Sequence, residues 1–158
     1  MTKLLSLAPL FAVAACSGGA ISVDVAMPRP GGQTTSGDVT TISSGVIVES
    51  ADGTSVCERI VVKVYAGPTA PTATATPLHT GRGLGTYDPA AAAPRCLVLA
   101  ANLAPRADYY VALEYPSKYF VTGRPVLVMP GESPPARTVT LGPIAVTDKQ
   151  TTKLTASL

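Results

Sequence analysis

The sequence contains no tryptophan, two phenylalanines and a single histidine, His79. One histidine removes most nucleophilic and acid–base constellations at once. No Gly-x-Ser-x-Gly elbow accompanies it, and its Pro/Thr/Gly-rich surroundings read as an exposed loop. A metal centre would want further Cys or His ligands at close spacing, so no metal and no cofactor is expected, and the chain reads as a non-enzyme. Charge is also sparse. Charged residues make up 14% of the chain, 12 basic against 10 acidic, and they are scattered singly. There is no basic stripe for nucleic acid, no acidic tail and no carboxylate pair placed for catalysis. No apolar run approaches the ~20 residues that a membrane-spanning helix needs. The absence of tryptophan counts against a carbohydrate-stacking surface.

Turn formers are plentiful instead. Fourteen glycines and fifteen prolines break the chain into short apolar stretches, the signature of strands and turns and not of helices.

The N-terminus has the layout of an export signal. A cationic start at Lys3 is followed by the apolar run Leu4-Leu5-Ser6-Leu7-Ala8-Pro9-Leu10-Phe11-Ala12-Val13 and the small pair Ala14-Ala15. Val13-Ala14-Ala15-Cys16 resembles the lipobox of bacterial lipoproteins at all four positions. That resemblance implies cleavage before Cys16, diacylglycerol on its thiol and acylation, such as palmitate, on the new amine. Several acyl chains anchor stably where one binds only marginally. Ser17, in place of an inner-membrane-retaining Asp, implies the outer membrane of a Gram-negative envelope. An ordinary secretory cleavage site with an incidental cysteine is the alternative.

If Cys16 carries lipid, Cys57 and Cys96 remain as an even pair in an oxidising compartment, and a disulfide between them is expected. Such a bond would stabilise the fold by about 4 kcal/mol. Two buried thiols, or half of a metal site, are the other readings.

The organisation expected is a signal peptide over 1–15, a flexible tether over 16–38 and one β-sandwich domain over 39–158. Within the tether, Ile21 to Met27 is read at most as an edge strand. Stretches 40–49, 57–65, 96–101, 109–115, 123–129 and 137–147 read as strands. The Asp52-Gly53 pair signals a hairpin, and Asp88-Pro89 signals one helical turn. Across 57–65, Ile60, Val62 and Val64 share the core face and leave Lys63 and Tyr65 outside. The low-complexity stretch 67–76 (GPTAPTATAT) is a surface loop. About seven short strands with frequent turns give an all-β, antiparallel sandwich, transthyretin-like or immunoglobulin-like.

Leu103-Ala104-Pro105 leading through a turn to Tyr109 and the strand 109–115 resembles the corner of transthyretin-like sandwiches, a group that includes carboxypeptidase regulatory-like and Cna B-type modules. The resemblance implies that Tyr109 closes a corner. A Cna B-type module would also join a strand lysine to an Asn or Asp in an isopeptide bond assisted by a Glu. The matching positions are Lys63, Asp148 and Glu114, yet alternation turns Lys63 and Glu114 away from the core.

Tyr109, Tyr110, Tyr115, Tyr119 and Phe120 lie within twelve residues and precede Arg124. Aromatic groups beside an arginine offer large, rigid contact area with polar tips. Tyr110, Tyr115, Tyr119 and Arg124 are therefore the expected partner-binding residues. The function expected is a lipid-anchored cell-envelope structural or accessory protein-interaction module, held to the membrane at Cys16 and bound to another envelope protein. The alternative is a small-ligand or glycan-binding envelope lipoprotein with its site in the loops over 79–87.

Overall fold

The structure is a computed structural model and describes residues 18–47, 54–116, 120–121, 126–132 and 136–158. Cys16 and the signal segment, the Asp52-Gly53 hairpin signal, Tyr119 and Arg124 lie outside the described residues.

The described residues form thirteen strands and one short helix. The strands are β1 Gly19–Ala26, β2 Pro30–Gly31, β3 Gln33–Ser36, β4 Val39–Ile42, β5 Gly45–Ile47, β6 Val61–Ala66 and β7 His79–Arg82. They continue with β8 Arg95–Leu103, β9 Arg106–Tyr115, β10 Phe120–Val121, β11 Val126–Val128, β12 Arg137–Val146 and β13 Thr151–Ser157, and the helix is α1 Thr54–Glu58.

Two sheets face one another across a single core. One has the order β13-β1-β8 and the other β12-β9-β6-β7. Ile21, Val23 and Val25 of β1 and Val98 and Ala100 of β8 meet Val62 and Val64 of β6, Val111 and Leu113 of β9, and Ile144 and Val146 of β12. β1, β6 and β8 bury alternate residues, as a sheet with one covered face requires, whereas β9 buries both of its faces from Tyr109 to Leu113. The protein is an all-β sandwich. Its pairings are antiparallel except β1 with β13 and β2 with β5, which are parallel.

Three expectations are corrected. The segment read as tether supplies β1, which is not an edge strand but the middle strand of its sheet, with Ile21, Val23 and Val25 fully buried. The folded domain therefore includes residues 19–26 and does not begin at 39. Glycines and small polar residues flank this strand and made it read as tether, but Ile21, Val23, Val25 and Met27 alternate strictly. The second correction is at 57–65, where the strand begins only at Val61 and Cys57 sits on α1. Val56, Cys57 and Ile60 are fully buried there and plug one end of the core. Third, the helical turn at Asp88 is a capped turn only, with the Ala90 amide donating to Asp88 Oδ1 at 2.9 Å.

β13 has no strong apolar run. It is held because Thr152, Leu154 and Ala156 half-bury against the core while its backbone pairs with β1 from Ala20 to Ala26. The β12–β13 connection crosses from one sheet to the other, and Thr152 Oγ1 donates to the Ala145 carbonyl at 2.8 Å across it. Two three-stranded sheets, β10-β5-β2 and β11-β4-β3, extend from the C-terminal ends of β1 and β9.

The cysteine pair is a disulfide. Cys57 on α1 and Cys96 on β8 are bonded, with Cα atoms 5.4 Å apart, and tie the end plug to the three-stranded sheet. At the same end Tyr87 is buried, and its hydroxyl donates to the Pro28 carbonyl at 2.8 Å. Burial pushes the Tyr87 phenol up to about 12 from an ordinary value of 10.0. Because the folded value lies above the unfolded one, this contribution is complete below pH ~10 and is lost as pH rises toward ~12. Ultraviolet titration should therefore include a late step from Tyr87. Tyr87→Phe should remove that late step and cost about 1 kcal/mol. A full complement of tyrosinates by pH ~10.5 would contradict the burial.

Candidate functional site

The aromatic patch expected at Tyr110, Tyr115, Tyr119 and Arg124 does not assemble among the described residues. Tyr110 and Tyr115 have opposite parity on β9, so a flat strand sends them to opposite faces. Tyr115 joins the core with no exposure, on the same side as Tyr109, Val111 and Leu113. Tyr110 is on the outer face but is also buried, opposite Tyr65 and against the backbone of Gly142, where a Cβ would run into its ring. Gly142 has φ +145°, a conformation that only glycine adopts without strain.

Tyr109 occupies the corner. Its hydroxyl donates to the Ala104 carbonyl at 3.0 Å, bracing the turn between β8 and β9, and Arg106 lies 5.6 Å over its ring. Arg106 also holds both carboxylate oxygens of Asp108, at 2.5 and 2.8 Å. That hydrogen bonding keeps the Asp108 carboxyl below its usual range.

The outer face of the four-stranded sheet carries Lys63 and Tyr65 from β6 and Ala112 and Glu114 from β9, because the alternate positions face the core. Lys63 Nζ donates to Glu114 Oε2 at 2.9 Å. The Lys63 ammonium is raised above its ordinary value, first by that hydrogen bond and then by the carboxylate's charge. Both side chains are more than a third exposed, and pairs of this kind contribute about 0–1 kcal/mol. On the alkaline side the pair's contribution is intact at neutral pH and is lost as pH climbs past the lysine's raised value.

The isopeptide arrangement does not form. Val146, just before Asp148, pairs with Arg106, whereas Lys63 pairs with Ala112 further up β9. Roughly 20 Å of strand separates the two levels. The loop over 67–76 lies along this face, where Pro71, Thr72, Tyr65, Glu114 and Thr140 line a cleft of about 290 Å³.

The loops over 79–87, expected as a ligand site, are largely structural. His79–Arg82 is β7, paired with β6, and Tyr87 is buried. His79 does line a shallow depression with Leu78, Asn102 and Ala104. Among the described residues no group of three His, Cys, Asp or Glu side chains could hold a metal. No helix among them is long and apolar enough to cross a membrane.

The opposite outer face presents a feature that reading for aromatics missed. Leu97 and Leu99 point outward from β8, 44% and 46% exposed, while Val98 and Ala100 point inward. Leu84, 46% exposed, is bridged to Leu97 by two backbone hydrogen bonds of 2.7 and 3.0 Å. The signal was present in the sequence. Leu97-Val98-Leu99-Ala100 is apolar on both parities, which an ordinary half-exposed strand is not.

The chain matches no protein-family model, no curated protein and no solved structure.

Proposed function

We propose that the protein is a lipid-anchored structural or accessory interaction module of the cell envelope, non-catalytic, attached through Cys16 and bound to another envelope protein. The observation that carries this reading is cysteine arithmetic. Of three cysteines, Cys57 and Cys96 are joined in the core, which leaves Cys16 with no cysteine partner in the chain, directly after an apolar run ending in Val13-Ala14-Ala15. A disulfide belongs to an oxidising compartment, and the lipobox resemblance gives the remaining thiol its role. Ser17 favours the outer membrane. The outward leucines Leu84, Leu97 and Leu99 supply the contact surface in place of the buried tyrosines.

The test is intact mass on protein from membranes of its native host, with Cys16→Ser beside it. The native chain is expected to weigh Cys16 to Leu158 plus acyl chains and to partition with membranes, and the variant is expected to appear in the soluble fraction. An unacylated native chain would refute the reading.

A second reading, a small-ligand-binding envelope lipoprotein, is favoured by the cleft beneath the loop over 67–76. It places the ligand against Lys63, Tyr65 and Glu114 and not at His79.

A further inference from the structure

We propose that one particular end of the sandwich, formed by the β8–β9 turn and the β12–β13 turn, lies against the lipid headgroups, which fixes the orientation of the molecule on its membrane. The inference rests on the anchor at Cys16 proposed above.

The chain enters the fold at this end. β1 begins at Gly19, pairs with Leu103 at the close of β8, and continues beside β13 from the Ala20–Thr151 pair. The Ala20 amide donates to the Gln150 carbonyl at 2.8 Å. Gly19 is wedged so closely that a Cβ would collide with the Thr147 carbonyl and Val146, and Gly18 lies against Asn102 and Leu103. Only Ser17 and Gly18 separate Cys16 from the first strand. Three residue steps, from Cys16 to Gly19, span at most ~10 Å even fully extended. β1, with its eight residues, carries the opposite end of the sandwich ~26 Å further away. The tether is thus too short to let the far end, with α1, Tyr87 and the two small sheets, replace the near one at the membrane.

The surface at this end suits that position. Ala104, Pro105 and Gln150 are exposed, and Leu78, 65% exposed, stands beside Ala104 in the same depression. Its charged groups are two of each sign, Arg106 held to Asp108 and Lys149 next to Asp148. Such an end meets zwitterionic or anionic headgroups without strong repulsion. The exposed leucines of β8 then face sideways.

The experiment places the photo-crosslinking residue p-benzoylphenylalanine singly at Pro105, Gln150, Asp38 or Ala90 of the full chain, irradiates host membranes and reads lipid adducts by intact mass. Pro105 and Gln150 lie at the anchored end, whereas Asp38 and Ala90 lie in turns at the other. Adduct yields at the first pair are expected to exceed those at the second roughly tenfold, because a probe reaching a few ångströms cannot bridge a ~26 Å strand. A flexible Gly/Ser spacer of ~20 residues inserted between Ser17 and Gly18, outside the strands, should erase the contrast.

Equal yields at both ends, higher yields at Asp38 or Ala90, or crosslinks from Pro105 to protein instead of lipid, on chains whose mass shows acylation, would overturn the orientation alone. Chains without acyl groups would overturn the anchor and the orientation with it. A substituted chain that fails to fold is recognised by loss of the Cys57–Cys96 disulfide on alkylation. The unsubstituted protein then decides the matter through protection of the 102–106 and 147–150 amides from a paramagnetic reagent in vesicles relative to detergent, and no protection there would overturn the proposal.

Discussion

Replacing Cys57 and Cys96 together by alanine is expected to lower stability by about 4 kcal/mol and the melting temperature by roughly 10 °C. The loop they close is long, with a sequence separation of 39, and cross-linking a long loop removes much of the unfolded chain's freedom. The location adds a second contribution. Both residues are buried, and they join α1, which has only five residues and little stability of its own, to β8. Without the bond, Val56, Ile60 and backbone hydrogen bonds such as Gly83 N–H to the Ile60 carbonyl at 3.0 Å still hold the plug, but its covalent tie to β8 is gone. Scanning calorimetry of the double variant, and of the native protein with and without reductant, would measure the loss. A change of less than ~3 °C would show that the end of the core holds without the bond.

Leu113→Ala should be nearly as damaging, costing about 3 kcal/mol and shifting the urea midpoint by roughly 1.5 M. Leu113 is fully buried on β9, the strand between β12 and β6, and belongs to the cluster in which both sheets meet. Deleting its branch leaves a cavity that two sheets braced by a disulfide and a tyrosine corner cannot easily close. Leu113→Met keeps the volume and should cost under ~1.5 kcal/mol. If the alanine variant lost less than ~1 kcal/mol, the two sheets would not share one tightly packed core.

Alternation made much of the sandwich legible. The parity of Val62 and Val64 put Lys63 outside, where it does pair with Glu114. The strands 96–101, 109–115 and 137–147 fall on β8, β9 and β12, and Cys57 with Cys96 forms the expected disulfide. Two kinds of error have physical causes. β1 is framed by Gly, Ser and Thr, and local composition marks it as linker, while β13 is threonine-rich with no strong apolar run and gives no strand signal of its own. What makes them strands is each other, through a parallel pairing between the two extremes of the domain that no short window can register. The tyrosines failed for the opposite reason. Their number near Arg124 read as surface chemistry, but parity sends Tyr115 into the core, and Gly142 closes over Tyr110.

The sequence by itself determined the all-β class, the cysteine pair and the core face of each strongly alternating strand, because these depend on local pattern and composition. Only the tertiary structure decided that residues 19–26 are the middle strand of a sheet, that α1 carries half of the disulfide, and that Leu97 and Leu99 are exposed while Tyr110 and Tyr115 are buried. Those outcomes depend on which distant segments pair, and pairing is settled by burial across the whole molecule.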